Sequence, residues 1–225
     1  MRDNFYLIVA KACYKDRFLL LLILVVMLIL LGPFLEHLIR LRFFMDLLFT
    51  FIFVTTIYAA SQKRKHVIIA VILCIPTIFA LWAENFQASN YLITIGYLCG
   101  VILFAFAIIA ILIYIFSDQT VTRQTISAAI AVYMLMALMW AFVYRLIESL
   151  YPASFAISNS KLEIGNHLYL YFSIVTLTTL GYGDITPVGR QVASLAALEA
   201  ITGQIYLVVV VAWFVGMYVS VKSKR

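Results

Sequence analysis

The stretch that decides the fold runs from residue 176 to residue 184 and reads Thr176-Leu177-Thr178-Thr179-Leu180-Gly181-Tyr182-Gly183-Asp184. Its first four residues end an apolar segment, residues 167–179, that is too short to cross a bilayer, and longer apolar runs stand on both sides. Bare backbone at membrane depth is tolerated only where protein buries it or where it lines a wet cavity. The sequence therefore predicts a re-entrant helix and loop beside a cavity.

Composition places the chain in a lipid bilayer. Of its 225 residues, 65% are hydrophobic and only 12% are charged, which is too apolar for a water-soluble fold. The net charge of +6 comes from basic residues that cluster at the ends of apolar runs, where they orient a membrane protein. We therefore expect membrane lipids as partners and no nucleic acid.

Six apolar runs approach the roughly 20 residues that a membrane helix needs. They cover residues 18–35, 43–60, 67–82, 91–116, 126–147 and 192–219. If the six spans alternate, most Lys and Arg residues fall on one side, which predicts a multi-pass protein of the cell membrane with cytoplasmic N- and C-termini. Arg40, Arg42, Lys161 and Arg190 fall on the opposite side, and Arg40 and Arg42 are the pair that fits this topology least well.

The string around Gly181-Tyr182-Gly183 resembles the selectivity filter of the potassium channel family, in which threonine, a branched apolar residue, Gly-Tyr-Gly and Asp follow one another. Leu180 stands where valine is usual in that family. The resemblance covers residues 126–219, and within them residues 198–204 resemble the middle of the inner helix. It implies an all-α membrane protein with six transmembrane helices, a re-entrant pore helix and a filter loop, assembled as a homotetramer.

The filter chemistry explains the residue types. A dehydrated potassium ion needs a cage of oxygens in place of its hydration shell, and rings of backbone carbonyls supply one. Pointing successive carbonyls the same way requires alternating backbone handedness, which glycine permits at positive φ. The resemblance implies that potassium binds at Thr179, Leu180, Gly181 and Tyr182, where the Thr179 hydroxyl completes the innermost site and Tyr182 braces the filter against the pore helix. Thr178, Gly183 and Asp184 would support the filter. We expect potassium as the bound ion and no other cofactor.

Two residues of the last span are candidates for gating. Glu199 is an ionisable residue deep in a span, and such residues are functional by default because they are costly there. The alternative is a structural carboxyl that a pore-helix hydroxyl satisfies. Gly203 is the candidate flexible point of the inner helix, where family members often hinge on a glycine.

The first four spans lack a voltage sensor of the usual kind. Residues 91–116 contain no Lys or Arg, so the membrane field has no row of charges to act upon. The predicted organisation is a cytoplasmic N-terminus at 1–17, a four-span domain at 18–116, a cytoplasmic linker at 117–126, a pore domain at 127–219 and a cytoplasmic C-terminus at 220–225.

The sequence favours passive permeation, and no catalytic motif predicts an enzyme. Three other functions stay open at this point. The first is a nonselective cation channel, and the second is a transporter related to channels, in which one chain carries four filter repeats. The third is a non-conducting membrane subunit that modulates other channels.

Overall fold

The computed structural model describes residues 17–35, 39–60, 64–83, 90–117, 120–158 and 166–223. Within these residues the chain forms seven helices and one small sheet. In chain order they are α1 (Arg17–Leu35), α2 (Ile39–Ala60), α3 (Arg64–Ala83), α4 (Asn90–Ser117), α5 (Arg123–Leu150), β1 (Phe155–Ile157), α6 (Asn166–Leu177), β2 (Ile185–Pro187) and α7 (Arg190–Ser223).

Four of the described helices, α3, α4, α5 and α7, are long and apolar enough to cross a membrane. Helices α1 and α2 are also apolar, but their described side chains cover the shorter stretches Arg17–Leu31 and Asp46–Ala60. The expectation of an all-α membrane protein is confirmed at this level. The count of six spans stays a prediction, as does the orientation of the termini.

Each predicted apolar run coincides with a helix whose ends lie within a few residues of the predicted ones. A polar cap starts α5 three residues before the first residue of its predicted apolar run. Thr122 accepts a hydrogen bond from the Thr125 backbone at 3.2 Å and starts α5 at Arg123. The predicted N-terminal segment, apart from Arg17, and residues 224–225 lie outside the described residues, and so do the side chains of Arg40 and Arg42.

Helix α5 is the most deeply buried of the four long helices, and it packs against α4 through aromatic rings. The Phe142 ring makes edge contacts with four other aromatic rings, those of Phe49 and Phe53 on α2 and of Tyr97 and Phe104 on α4. Arg145 donates from Nε to the Tyr97 hydroxyl at 3.1 Å. These contacts attach the first helices to the region that carries the predicted filter.

Small residues let α4 approach its neighbours closely. A Cβ at Gly96 would lie 2.0 Å from the Cβ of Ala80 on α3, and a Cβ at Gly100 would lie 2.5 Å from the Phe142 ring. Two glycines four residues apart thus form the contact surface, as in other closely packed membrane helices.

The small sheet joins two loop segments, one after α5 and one after the predicted filter, whose pairing the sequence does not predict. Strand β1 follows α5, β2 follows the predicted filter, and the two are antiparallel with Phe155 opposite Pro187 and Ile157 opposite Ile185. The backbone N–H of Val188 donates to the Ser154 carbonyl at 2.7 Å and extends the pairing. This sheet fixes the segment after the filter to the segment before α6.

Candidate functional site

The predicted filter begins at an unusual helix end. Helix α6 ends at Leu177, and Thr179 then takes a left-handed conformation with φ of 60°. The backbone N–H of Leu180 donates to the Val175 carbonyl and that of Thr179 to the Thr176 carbonyl, each at 2.9 Å. This is the Schellman pattern, whose left-handed position is usually glycine.

Residues 179–183, which we call the filter strand, follow this helix end. Positive φ recurs at alternate residues along it: Thr179 at 60°, Gly181 at 57° and Gly183 at 78°. The expectation that Gly181 and Gly183 are the left-handed positions is confirmed. A Cβ at either glycine would meet no atom of the described chain within 4 Å, so the backbone angle and not the available space requires glycine.

Thr179 is the position that the sequence did not predict to be left-handed. A β-branched residue at positive φ is an outlier, and left-handed backbone costs an L-residue about 1–2 kcal/mol. Such strain persists where the surroundings impose it, and it concentrates at functional sites. At Thr179 the surroundings are the two hydrogen bonds of the helix cap, and the hydroxyl is what a glycine would lack.

The strand offers a row of unused oxygens. Among the described residues, nothing donates a hydrogen bond to the backbone carbonyls of residues 179–182, and nothing forms a hydrogen bond with the Thr179 hydroxyl. All four residues are exposed in the single chain, and the Tyr182 side chain is 66% exposed. By contrast, the N–H groups of residues 178–181 all donate to carbonyls of α6. The segment is thus attached to α6 through its backbone N–H groups, while its backbone carbonyls accept no hydrogen bond from the described residues.

Asp184 fastens the outer end of the strand. The Tyr171 hydroxyl on α6 donates to Asp184 Oδ2 at 2.7 Å, and the Ile185 N–H donates to Oδ1 at 3.1 Å. The Asp184 carbonyl accepts from the Ser158 N–H at 2.9 Å. The side chain therefore ties the strand to α6, while the backbone ties it to the connection that follows β1.

That connection is itself held by a residue that sequence reasoning missed. Glu148, near the end of α5, accepts from the N–H of Ala153 at 2.8 Å and from the N–H of Ser154 at 3.1 Å. Ala153 has a φ of 65°, so the carboxylate stabilises a strained turn. No local motif marks this role, because it depends on where the chain returns after α5.

Glu199 is fully buried between α5 and α6. Its Oε1 lies 2.5 Å from the Ser173 hydroxyl of α6, and its Oε2 is in hydrogen-bond contact with the Tyr144 hydroxyl of α5. Of the hydroxyls that the sequence offers, the carboxyl of Glu199 thus contacts that of Ser173 on α6, the predicted pore helix. A role of Glu199 in gating stays untested.

Gly203 lies against the end of α6. A Cβ there would be 2.5 Å from the Leu177 carbonyl oxygen and 2.9 Å from Leu177 Cδ1. The Tyr133 hydroxyl of α5 donates to the same carbonyl at 3.3 Å. Close approach therefore accounts for glycine at position 203, in a helix that continues without interruption to Ser223. A hinge at Gly203 stays a prediction.

The chain matches no protein-family model, and no curated protein is significantly similar to it. Its function must therefore be inferred from the chemistry and geometry of this site.

We expect Tyr171→Phe to lower the free energy of unfolding in detergent by about 1.5–3 kcal/mol, because a hydroxyl that donates to a carboxylate is lost. The measurement is a denaturant titration of the parent, Tyr171→Phe, Asp184→Asn and the double variant. The double variant should lose less stability than the sum of the two single losses, since both changes remove the same interaction.

Tyr151→Phe is the matched control. Tyr151 is 71% exposed, so loss of its hydroxyl should change stability by no more than about 0.5 kcal/mol. Strict additivity of the Tyr171 and Asp184 changes would show that the two side chains do not act together.

Proposed function

We propose that this chain is a subunit of a potassium-selective channel, a multi-pass protein of the cell membrane with cytoplasmic termini, whose pore forms from four copies. The proposal rests on the alternation of positive φ at Thr179, Gly181 and Gly183, together with carbonyls of residues 179–182 to which none of the described residues donates. Alternating handedness is the backbone arrangement that turns successive carbonyls toward one side.

One strand supplies only one carbonyl at each level, whereas a potassium ion needs a ring of them. Four copies around one axis would give stacked rings from Thr179, Leu180, Gly181 and Tyr182, with the Thr179 hydroxyls at the inner end. The same arrangement would cover Tyr182, which is largely exposed in the single chain. The strained backbone at Thr179 then has a use, because glycine at that position would bring no hydroxyl.

The placement of α6 also favours a cation. Helix α6 ends at Leu177, directly before the proposed filter, so its C-terminal end would lie at the inner end of that filter. The carbonyl end of a helix carries a partial negative charge. Four such ends around an axis would stabilise a cation below the filter.

Helix α7 presents the surface that four copies would share. Only 22% of its most apolar window is buried in the single chain, compared with 61% for α5. Large apolar side chains on it are exposed, among them Leu198, Ile201, Ile205 and Val208. Contact with three further copies, together with a pore cavity that α7 would line, would account for this exposed apolar surface. Lipid would cover the helices on the outside of the assembly.

The test is ion flux through purified protein in liposomes, with the reversal potential measured in mixed sodium and potassium. A channel of the proposed kind shifts its reversal potential toward that of potassium. A reversal potential indifferent to the exchange of sodium for potassium would indicate a nonselective cation channel. Absence of any flux would favour a non-conducting modulatory subunit, and flux from a monomer would favour a transporter.

We expect Gly181→Ala to abolish potassium flux. A Cβ at a φ of 57° disfavours the left-handed backbone by about 1–2 kcal/mol in each of four subunits, so the carbonyl ring is lost. Gly189→Ala is the matched control, because Gly189 also has positive φ, 93°, but lies after the filter, where its Cβ would meet only Gln191 Oε1 at 3.8 Å.

The control variant should conduct potassium as the parent does, provided that it folds. Equal flux in Gly181→Ala and the parent would be incompatible with the filter assignment. Equal loss in both variants would mean that backbone strain anywhere in this region disrupts the protein.

We also expect current to be nearly independent of voltage apart from driving force. One charge crossing the membrane is worth about 2.3 kcal/mol per 100 mV, and steep gating needs several in each subunit. Helix α4 contains no Lys or Arg to supply them. Open probability recorded in planar bilayers should stay flat from strongly negative to strongly positive potentials, and Arg123→Gln should not change that. A steep sigmoidal rise would require a voltage sensor elsewhere in the chain.

A further inference from the structure

The contacts of Glu199 raise a question of hydrogen counting. Three oxygen pairs lie within hydrogen-bond distance: Tyr144 Oη with Glu199 Oε2, Ser173 Oγ with Glu199 Oε1, and Ser173 Oγ with the Ala137 carbonyl at 2.8 Å. Tyr144 and Ser173 each bring one proton, and a carbonyl brings none. If Glu199 were ionised, one of the three pairs would have no proton between its oxygens.

A carboxylic acid removes this conflict in one way only. Tyr144 donates to Oε2, Glu199 donates from Oε1 to Ser173, and Ser173 donates to the Ala137 carbonyl. We infer that Glu199 is a neutral carboxylic acid in the folded protein, a positioning residue that fixes α6 between α5 and α7 through this one-directional chain. If the proton were on Oε2, the contact between Ser173 and Ala137 would lose its donor.

The surroundings of Glu199 agree with a neutral group. Glu199, Tyr144 and Ser173 are all fully buried, and among the described residues the side chain of Glu199 contacts hydroxyl groups and no basic group. Tyr133 of α5 is the other titratable group in electrostatic range. An ion buried without a counter-charge is very costly, and a membrane span makes it more so.

The hydrogen bonds through Glu199 and Ser173 have a direct consequence for the predicted filter. Ser173 lies one helical turn before Leu177, where the strand with the unused carbonyls begins. Holding Ser173 from both sides therefore sets the position of α6 and of the strand that leaves it. The effect on flux rests on the proposed channel function, whereas the protonation state of Glu199 does not.

Infrared spectroscopy of protein labelled at glutamate carboxyl groups decides the protonation state. We expect the parent to show a carboxylic acid C=O band that persists from mildly acidic to neutral pH and that is missing from Glu199→Gln. Tyr144→Phe should shift this band to higher frequency, because Oε2 loses its donor. A parent spectrum with only carboxylate bands at neutral pH would overturn the inference, even if Glu199→Gln does not fold.

Ion flux tests the positioning role. A glutamine amide donates to Ser173 and accepts from Tyr144, so Glu199→Gln should conduct as the parent does, while Glu199→Leu and Ser173→Ala should lose most of the flux. Ser194→Ala is the control, because Ser194 on α7 is exposed and bonds only within its own helix.

A folded Glu199→Gln protein without flux would contradict the positioning role, because only the titratable proton would be missing. Absence of flux in the parent itself would count against the proposed channel function and leave the infrared result to decide the charge of Glu199.

Discussion

The cap of α6 is the interaction on which the rest of the site depends. If the predicted filter lies at membrane depth, its N–H and carbonyl groups must be satisfied without bulk water. Here the N–H groups of residues 178–181 are all satisfied by carbonyls of residues 174–176. The donors are thereby used up within one chain, and the acceptors that follow are left for something else. The left-handed backbone at Thr179 is the local cost of that arrangement.

The other contacts keep α6 and its strand where the cap can act. Tyr133 and Gly203 contact Leu177, the last residue of α6, from two sides. One turn earlier, Ser173 of α6 is held by its hydrogen bond with Glu199. Tyr171 and Asp184 hold the end of the predicted filter that leads into β2, where the small sheet continues the support. The 12-residue helix is thus held at three positions between Tyr171 and Leu177 by elements far apart in sequence. Small displacements of the filter strand would break several of these contacts at once.

The sequence predicts those parts of the molecule that local physics determines. Apolar runs predict the helices because lipid requires them, and Gly181 and Gly183 predict left-handed backbone because few other residues adopt it. Thr179 could not be predicted, since its residue type disfavours the conformation that the helix cap imposes. The partners of Glu199 could not be identified either, because Ser173 and Tyr144 are distant in sequence and several hydroxyls were available. The pairing of β1 with β2 depends on long-range folding in the same way.

Helix α5 connects the first four helices to the filter, and this limits how they could influence it. Gly100 and Phe142 make α4 and α5 pack closely, and Arg145 joins them again at Tyr97. On its other side α5 carries Tyr144 and the Ala137 carbonyl, the two ends of the chain through Glu199 and Ser173. Contacts therefore run without a break from α4 through α5 to α6, the helix that ends at the predicted filter, and they do not pass through α7 first. This connection between the first helices and α6 consists of packed side chains and hydrogen bonds, and it requires no charge to cross the membrane.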